Sequence, residues 1–294
     1  MLSLHTNAAA LSSQNAVGST QKALTTSLTR LGTGFRVNSA MDDAAGLQIA
    51  VRLDAQTRGM AVAQKNTQNG ISMMQTAEGA FTELTNVLLR MKDLATEAFT
   101  ASTTADDKTA LQAEYDALGQ ELGNIIKSTS FGGATLFSSG TSTDGTGGLL
   151  STAITFQIGA SAAETMNVNT SASLTGATGI AAALLAVSAN YAAAGTGTEL
   201  TGGTNARLTL IDTALTRVGT MRAQLGASSN RLEHVYNNLG NMRTNTIASR
   251  GRIMDVDYAA ETSNSTSKQL LMQAGTSALK QSSSLSQLVI SLMQ

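Results

Sequence analysis

Proline is absent from all 294 residues. Proline removes a backbone N–H and its ring clashes with the preceding helical turn, so nothing in this chain forces a helix to kink or stop. Apolar residues recur with steps of three and four over long stretches, the spacing of a helix that buries one narrow face. Met74, Ala77, Phe81, Leu84, Leu88, Met91, Ala95 and Ala98 follow this pattern without a break. Leu111, Tyr115, Leu118, Leu122 and Ile125 resume it after a Ser/Thr/Asp break at 102–107. Leu208, Ile211, Leu215, Val218, Leu225, Leu232, Tyr236 and Leu239 form a third seam, with Arg222, Ser229 and Arg243 at its skipped positions. Leu271, Ala274, Ala278, Leu285, Leu288 and Leu292 form a fourth, with Gln281 as its polar member. Near the start, seven-residue spacings link Leu4 to Leu11, and Ala10, Val17, Leu24 and Leu31. One such stripe is ordinarily the core face of a single helix. Stripes from end to end predict a mainly α fold, a long antiparallel helical or coiled-coil bundle made from both chain ends.

The middle of the chain reads differently. Residues 138–153 are rich in Ser, Thr and Gly, which signals loops. Ile154, Phe156 and Ile158 alternate with polar neighbours, and Met166 and Val168 alternate again after Gly159-Ala160-Ser161. Residues 153–169 therefore read as a β-hairpin. Residues 180–194 are Ala-rich and predict a short helix, and 195–205 return to Gly/Thr loop. The bundle should carry a small β-hairpin and loop insert in its middle.

Charged residues make up 13% of the chain, about half of the ~25% usual in globular proteins. The net charge is −1, which gives no long-range attraction to nucleic acid or to an anionic membrane surface. A polar surface of Ser, Thr, Asn and Gln is cheap to dehydrate and suits extensive protein–protein contact. The two ends carry this furthest: Met1 to Gln21 has no Asp, Glu, Lys or Arg, and Gln269 to Gln294 has Lys280 alone. A solvated surface helix normally sets charges opposite its apolar stripe, so both ends are expected to order by packing on one another and on neighbours. No apolar run approaches the roughly 20 residues of a membrane span. Met1 to Gln21 lacks the basic start and apolar run of a cleavable signal peptide.

Catalysis and metal binding lack a constellation. There is no Cys, and His5 and His234 are far apart. Gly32-Thr33-Gly34 lacks the Lys-Ser/Thr of a phosphate loop. Asp42 and Asp43 are adjacent and point apart on a helix, a poor acid–base pair. Neither an enzymatic activity nor a cofactor is expected. Asp42-Asp43 ahead of Ala44-Ala45 instead reads as a helix cap at the positive end of a helix.

Residues 29–50, TRLGTGFRVNSAMDDAAGLQIA, resemble the N-terminal signature of bacterial flagellin. RLDAQTRGMAVAQKNTQNGISMMQTAEGAF (52–81), SFGGATLF (130–137), IDTALTRVGTMRAQLGASSNRLE (211–233), IMDVDYAAET (253–262) and QAGTSALKQSSSLSQLVISLMQ (273–294) are similar to further family segments in the same order. Two departures stand out. Gln281-Ser282-Ser283-Ser284 replaces the usual Asn-Gln and nearby Pro, and Phe131-Gly132-Gly133 replaces Phe-Asn-Gly, a turn variation.

The resemblance implies a secreted, extracellular homopolymer, the motility filament, exported by the flagellar type III pathway. It implies an inner-core coiled coil from 1–43 with 254–294 and a helical outer core over 44–253. The variable insert is reduced to about 171–205, the mark of a compact flagellin without large outer domains. Leu4, Leu11, Leu24, Leu31, Arg36, Asp42, Asp43, Leu271, Leu285, Leu288 and Leu292 are the expected assembly residues, with Arg36 against a neighbouring copy. The resemblance further implies an export chaperone, hook-junction and cap proteins as partners. Residues 88–97, LLRMKDLATE, look like the segment bound by the animal Toll-like receptor for flagellin, with Arg90, Leu94 and Glu114 at matching positions and Leu89 where Gln is usual. Residues 29–50 similarly resemble the segment sensed by plant kinases. The alternative is the flagellin-like hook–filament junction protein, which would lack DDAAGLQIA and a full match across 211–262.

Overall fold

A computed structural model describes residues 8–202 and 204–292, with side chains described up to Ser284. The elements in order are α1 (Ala8–Thr33), α2 (Ala44–Ala98), α3 (Ala105–Ser128), β1 (Ser130–Phe131), β2 (Ala134–Thr135), β3 (Ile154–Gln157), β4 (Thr165–Val168), α4 (Ser171–Leu174), α5 (Ile180–Val187), α6 (Ala206–Met254) and α7 (Tyr258–Leu292). Single-turn 3-10 helices lie at Leu149–Ser151 and Ala189–Tyr191. The fold is mainly α with small antiparallel strand pairs in the middle, as the periodicity predicts. The chain divides into two compact units, Met1–Thr57 with Thr244–Gln294, and Arg58–Arg243. The divisions fall inside α2 and α6.

The central unit holds the large core. On α2 every residue of the predicted seam from Met74 to Ala98 is buried. On α6 the buried stripe is Ile211, Ala214, Val218, Met221, Leu225, Ser228, Leu232 and Leu239. This corrects the sequence reading at alternate positions. Leu215 and Arg222 are half-buried and Tyr236 is exposed, while Ala214, Met221 and Ser228 take the inward places. A period of 3.5 leaves two neighbouring phases for every second contact, and two of the three residues that the helix turns inward there, Ala214 and Ser228, are small. Lys92 Nζ to Asp212 Oδ1 at 2.6 Å and Arg222 Nη2 to Glu78 Oε1 at 3.7 Å tie the two helices, antiparallel, at their flanks.

α3 starts in a reciprocal capping box in which the Thr104 hydroxyl accepts from Asp107 N and the Asp107 carboxylate accepts from Thr104 N. Its buried face is largely polar or small: Gln112, Tyr115, Asp116, Gly119, Leu122, Gly123 and Ile126. The predicted Leu111, Leu118 and Ile125 are half-buried beside it. Gln112 Nε2 donates to Asp116 Oδ1 at 2.6 Å and to Glu199 Oε2 at 2.8 Å, and Gln112 Oε1 accepts from Leu200 N at 2.6 Å. The 189–200 segment is thereby fastened to α3 by hydrogen bonds, which an apolar search does not detect. Tyr115 Oη donates to Val187 O and Tyr191 Oη to Thr143 O, and burial pushes both phenols well above their usual pKa.

The hairpin falls where the alternation places it, with Ile154 opposite Val168 and Phe156 opposite Met166. Its tip crosses α2 at Gly59, where a β-carbon would stand 2.6 Å from the Ala160 β-carbon. Gly132 and Gly133, with φ of 60° and 86°, form the turn between β1 and β2. Both φ values are positive, a conformation that two glycines adopt as readily as Asn-Gly, so the departure at 131–133 preserves the turn.

Candidate assembly surface

The terminal unit contains two helix breaks, 34–43 and 255–257, held side by side. Phe35 and Asp255 form an antiparallel bridge. Arg36 N donates to Met254 O at 2.6 Å, and Val256 N donates to Gly34 O at 3.0 Å. Gly34 has φ of 75°, and a β-carbon there would stand 2.9 Å from Tyr258 Oη. Arg36 Nη2 donates to Ile253 O at 2.7 Å, so its guanidinium already has an intrachain task while its side chain stays exposed.

The adjacent aspartates divide the capping. Asp42 Oδ2 accepts from Ser39 N at 2.9 Å, Asn38 N at 3.1 Å and Ser39 Oγ at 3.1 Å. These bonds, the Ser39 amide first, hold its carboxyl below the usual range. Asp43 Oδ1 accepts from Gly46 N at 2.8 Å and caps α2. Arg30 lies between Asp42 at 3.7 Å and the buried Glu261 of α7 at 4.0 Å.

From these breaks α1 and α7 run antiparallel against each other. The side of α1 withdrawn from solvent steps through Ala10, Ser13, Val17, Thr20, Leu24, Ser27 and Leu31. The facing side of α7 steps through Glu261, Ser265, Lys268, Met272, Gly275, Leu279 and Ser282. Both alternate steps of three and four, as knobs-into-holes packing requires. Lys268 Nζ donates to Ser27 Oγ at 2.7 Å. This seam is mostly small or polar and therefore buries little apolar area.

The leucine stripe predicted on α7 is a different face. Leu271 is 58% exposed, Leu270 is 61% exposed, and Ala274 and Ala278 are exposed as well. The side chains of Leu285, Leu288 and Leu292 lie outside the described residues, as does Leu4. On α1, Leu24 is buried and Leu31 half-buried in the seam, whereas Leu11 is 55% exposed and Leu28 50% exposed, both off the seam. Phe35, Met41, Ile49, Val51, Ile247 and Tyr258 are further exposed apolar side chains of this unit. Among the described residues, the buried apolar side chains of the terminal unit are Leu24, Val37 and Ala50. The described part of the terminal unit thus exposes more large apolar side chains than it buries, the pattern that makes it the candidate interaction surface. Periodicity found the stripes on α7 and α1. It could not tell the stripe that meets the other end of the chain from the stripe left open.

The receptor-like residues separate by burial. Arg90 and Glu114 are exposed and paired, with Nε at 2.8 Å and Nη2 at 2.7 Å from Glu114 Oε1. Leu89 is exposed beside them. Leu94 is 1% exposed and belongs to the core. The α2 seam turns it inward, so in this fold it is not offered to a partner.

His234 is exposed on α6, and His5 lies outside the described residues. Among the described residues no group of three His, Cys, Asp or Glu side chains could hold a metal ion, and no helix is long and apolar enough to cross a membrane.

Comparison with known proteins gives consistent matches. Residues 4–143 match the family described as the bacterial flagellin N-terminal helical region, and residues 208–293 match the bacterial flagellin C-terminal helical region. The chain is 33% identical to "Flagellin A" of Vibrio anguillarum over an alignment of 387 residues that covers 100% of both chains. It is 36% identical to "Flagellin" of Bacillus subtilis over 299 residues, covering 98% of each. The crystal structure of Bacillus cereus flagellin aligns with TM-score 0.46 at 27% identity, over 60% of this chain and 88% of that one.

Proposed function

The chain belongs to the bacterial flagellin family, whose members are structural subunits of the extracellular flagellar filament, and we propose that its terminal unit assembles that filament by ordering and burying the open faces of α1 and α7. The family is one of structural proteins rather than enzymes, and it polymerises with itself. The observation that carries the finer reading is the exposure of Leu270 and Leu271 on α7. Leu271 is 58% exposed in the single chain, while the stripe facing α1 is small and polar. A helix pair with so little apolar area between its members needs further partners to stay ordered. Neighbouring copies supply them, and ordering of the ends coincides with polymerisation. On this reading 1–43 with 254–294 forms the inner tube, the paired breaks mark its limit, and 44–253 forms the outer core. Arg36 and the open side of the 34–43 break then lie against a neighbour. Export as an unfolded chain, guided by a chaperone and completed between hook-junction and cap proteins, belongs to the same proposal.

The test is Leu271→Asp. The side chain makes no contribution to the seam with α1, so the monomer should keep the thermal midpoint and helix content of the parent. It should fail to extend filament seeds viewed by electron microscopy. Hydrogen exchange gives the second arm: amides of 262–284 should be weakly protected in the monomer and strongly protected in the filament. Filaments of normal length from the variant, or full protection in the monomer, would sink the proposal.

Recognition by an animal flagellin receptor is a second proposed role, supported by the exposed Arg90–Glu114 pair with Leu89 beside it.

A further inference from the structure

The net charge of −1 conceals a segregation of charge within the central unit. Residues 78–127 carry nine acidic and four basic side chains. At the other end of the unit, 58–70 and 228–243 carry Arg58, Lys65, Arg231 and Arg243 against Glu233, with Glu164 on the hairpin that lies across Gly59. Arg231 and Arg243 are exposed on α6, and neither has a carboxylate partner among the described residues. Glu83, Asp93 and Glu97 are exposed on α2 and likewise have no basic partner among the described residues. Charges that find no partner among the described residues, on two different helices and of opposite sign, are suited to meet across an interface.

Resting on the polymer reading above, we propose that the basic end of α6 in one copy docks on the acidic face of α2 in a second copy, displaced along the helix axis. The spacing of the charges supports the displacement. Gly70 packs on Leu232, and Gly240 approaches Gln64, so Arg231 stands near the level of residue 71 of α2 and Arg243 near residue 59. At 1.5 Å per residue, Arg231 lies about 33 Å below Asp93 and about 39 Å below Glu97. Arg243 lies about 36 Å below Glu83. In axial level, one shift of about 36 Å brings Arg231 between Asp93 and Glu97 and Arg243 beside Glu83, and the long arginine side chains must span the roughly 120° between them around α6. The two surfaces belong to different helices, so the contact is heterologous and repeats without closing, as an open filament requires. Lys65 does not fit this role. It stands five helical turns from Glu83 on the same face of α2, and a contact between those two residues would close a two-fold pair instead of propagating.

The experiment is a charge exchange read by seeded elongation at low ionic strength. Arg231→Glu with Arg243→Glu should slow elongation about tenfold, and Glu83→Lys, Asp93→Lys with Glu97→Lys should slow it similarly. Combining the two sets in one chain restores the charge match and should return the rate to within about twofold of the parent. Lys65→Glu should leave the rate unchanged. Thermal midpoints of the monomers show that each variant folds. Parent-like elongation of either single set, or no recovery in the combined variant, overturns the proposal. So does a loss in Lys65→Glu that the acidic-face reversal rescues, because that identifies two-fold pairing. A parent chain that cannot extend seeds at all would overturn the polymer reading and this contact with it. Failure of the contact alone leaves parent elongation intact.

Discussion

Val17 of α1 fills the space where a side chain of Gly275 in α7 would stand: a β-carbon on Gly275 would lie 2.7 Å from Val17 Cγ2. Glycine is unfavourable inside a helix by about 0.5–1 kcal/mol relative to alanine. At Gly219 of α6, where nothing lies within 4 Å, replacement by alanine should therefore stabilise the monomer by about that amount. At Gly275 the same replacement drives a β-branched neighbour out of place, and overpacking of this kind costs about 1–3 kcal/mol. Gly275→Ala should lose protection across 268–279 in the filament even though its isolated helix is a better helix. Hydrogen exchange of the two variants side by side checks the sign of each.

That contact also shows where sequence reasoning stopped. The α2 seam was legible in full because every one of its positions from Met74 to Ala98 is buried, and five of them, Met74, Phe81, Leu84, Leu88 and Met91, are large. The hairpin was legible because Phe156 and Met166 alternate with polar neighbours in an otherwise polar region. The α6 stripe was legible in position but shifted at every second contact, since Leu215 and Tyr236 attract attention that Ala214 and Ser228 do not. On α7 the described part of the strongest apolar pattern, Leu271, Ala274 and Ala278, is exposed. The intrachain face is built of Ser265, Lys268 and Gly275, so hydrophobicity reported the side of the helix that does not meet α1. The bridge between Phe35 and Asp255 left no periodic signal, because it depends on the positive φ of Gly34 and on backbone bonds between residues 220 positions apart. The polar fastening of Gln112 and Glu199 was invisible for the same reason: hydrogen-bond partners distant in sequence have no spacing to read.

The cap of α3 should be independently measurable. Thr104→Ala removes the hydroxyl that accepts from Asp107 N, and loss of such a cap costs about 1 kcal/mol. The thermal midpoint of the central unit should fall accordingly. Thr104→Ser keeps the oxygen and should stay near the parent value.

The loop between α1 and α2 should loosen in acid. The Asp42 carboxyl, held low chiefly by the Ser39 and Asn38 amides, has a folded pKa below its unfolded value near 3.8. Its contribution is then fully present above that unfolded value and is lost as pH falls through the lower folded value. Amide exchange at Asn38 and Ser39, corrected for the intrinsic effect of pH, should show protection that holds from neutral pH to about pH 4 and declines below it. In Asp42→Ala the protection should be low throughout and free of this step. A parent chain with the same protection at pH 2.5 as at pH 6 would show that the carboxylate does not hold the loop.

Leu94 and Arg90 sit four residues apart on α2 and should separate folding from recognition. Leu94 is 1% exposed in a core that includes Met91, Ala95 and Tyr115. Leu94→Ala should destabilise the central unit by about 2–5 kcal/mol, the cost of a buried leucine truncated in a packed interior. Arg90 meets Glu114 with about half of each side chain in solvent. Breaking a pair so exposed costs about 0–1 kcal/mol, so Arg90→Ala should leave the thermal midpoint nearly unchanged. If an animal flagellin receptor reads this surface, Arg90→Ala and Glu114→Ala should weaken its binding while the fold is intact. Any loss in Leu94→Ala should instead track its fall in stability and recover when binding is measured well below its lowered midpoint. Binding by Arg90→Ala equal to the parent would remove the 88–97 surface from recognition. A binding defect in Leu94→Ala that persists at low temperature would mean that the leucine leaves the core when the receptor engages.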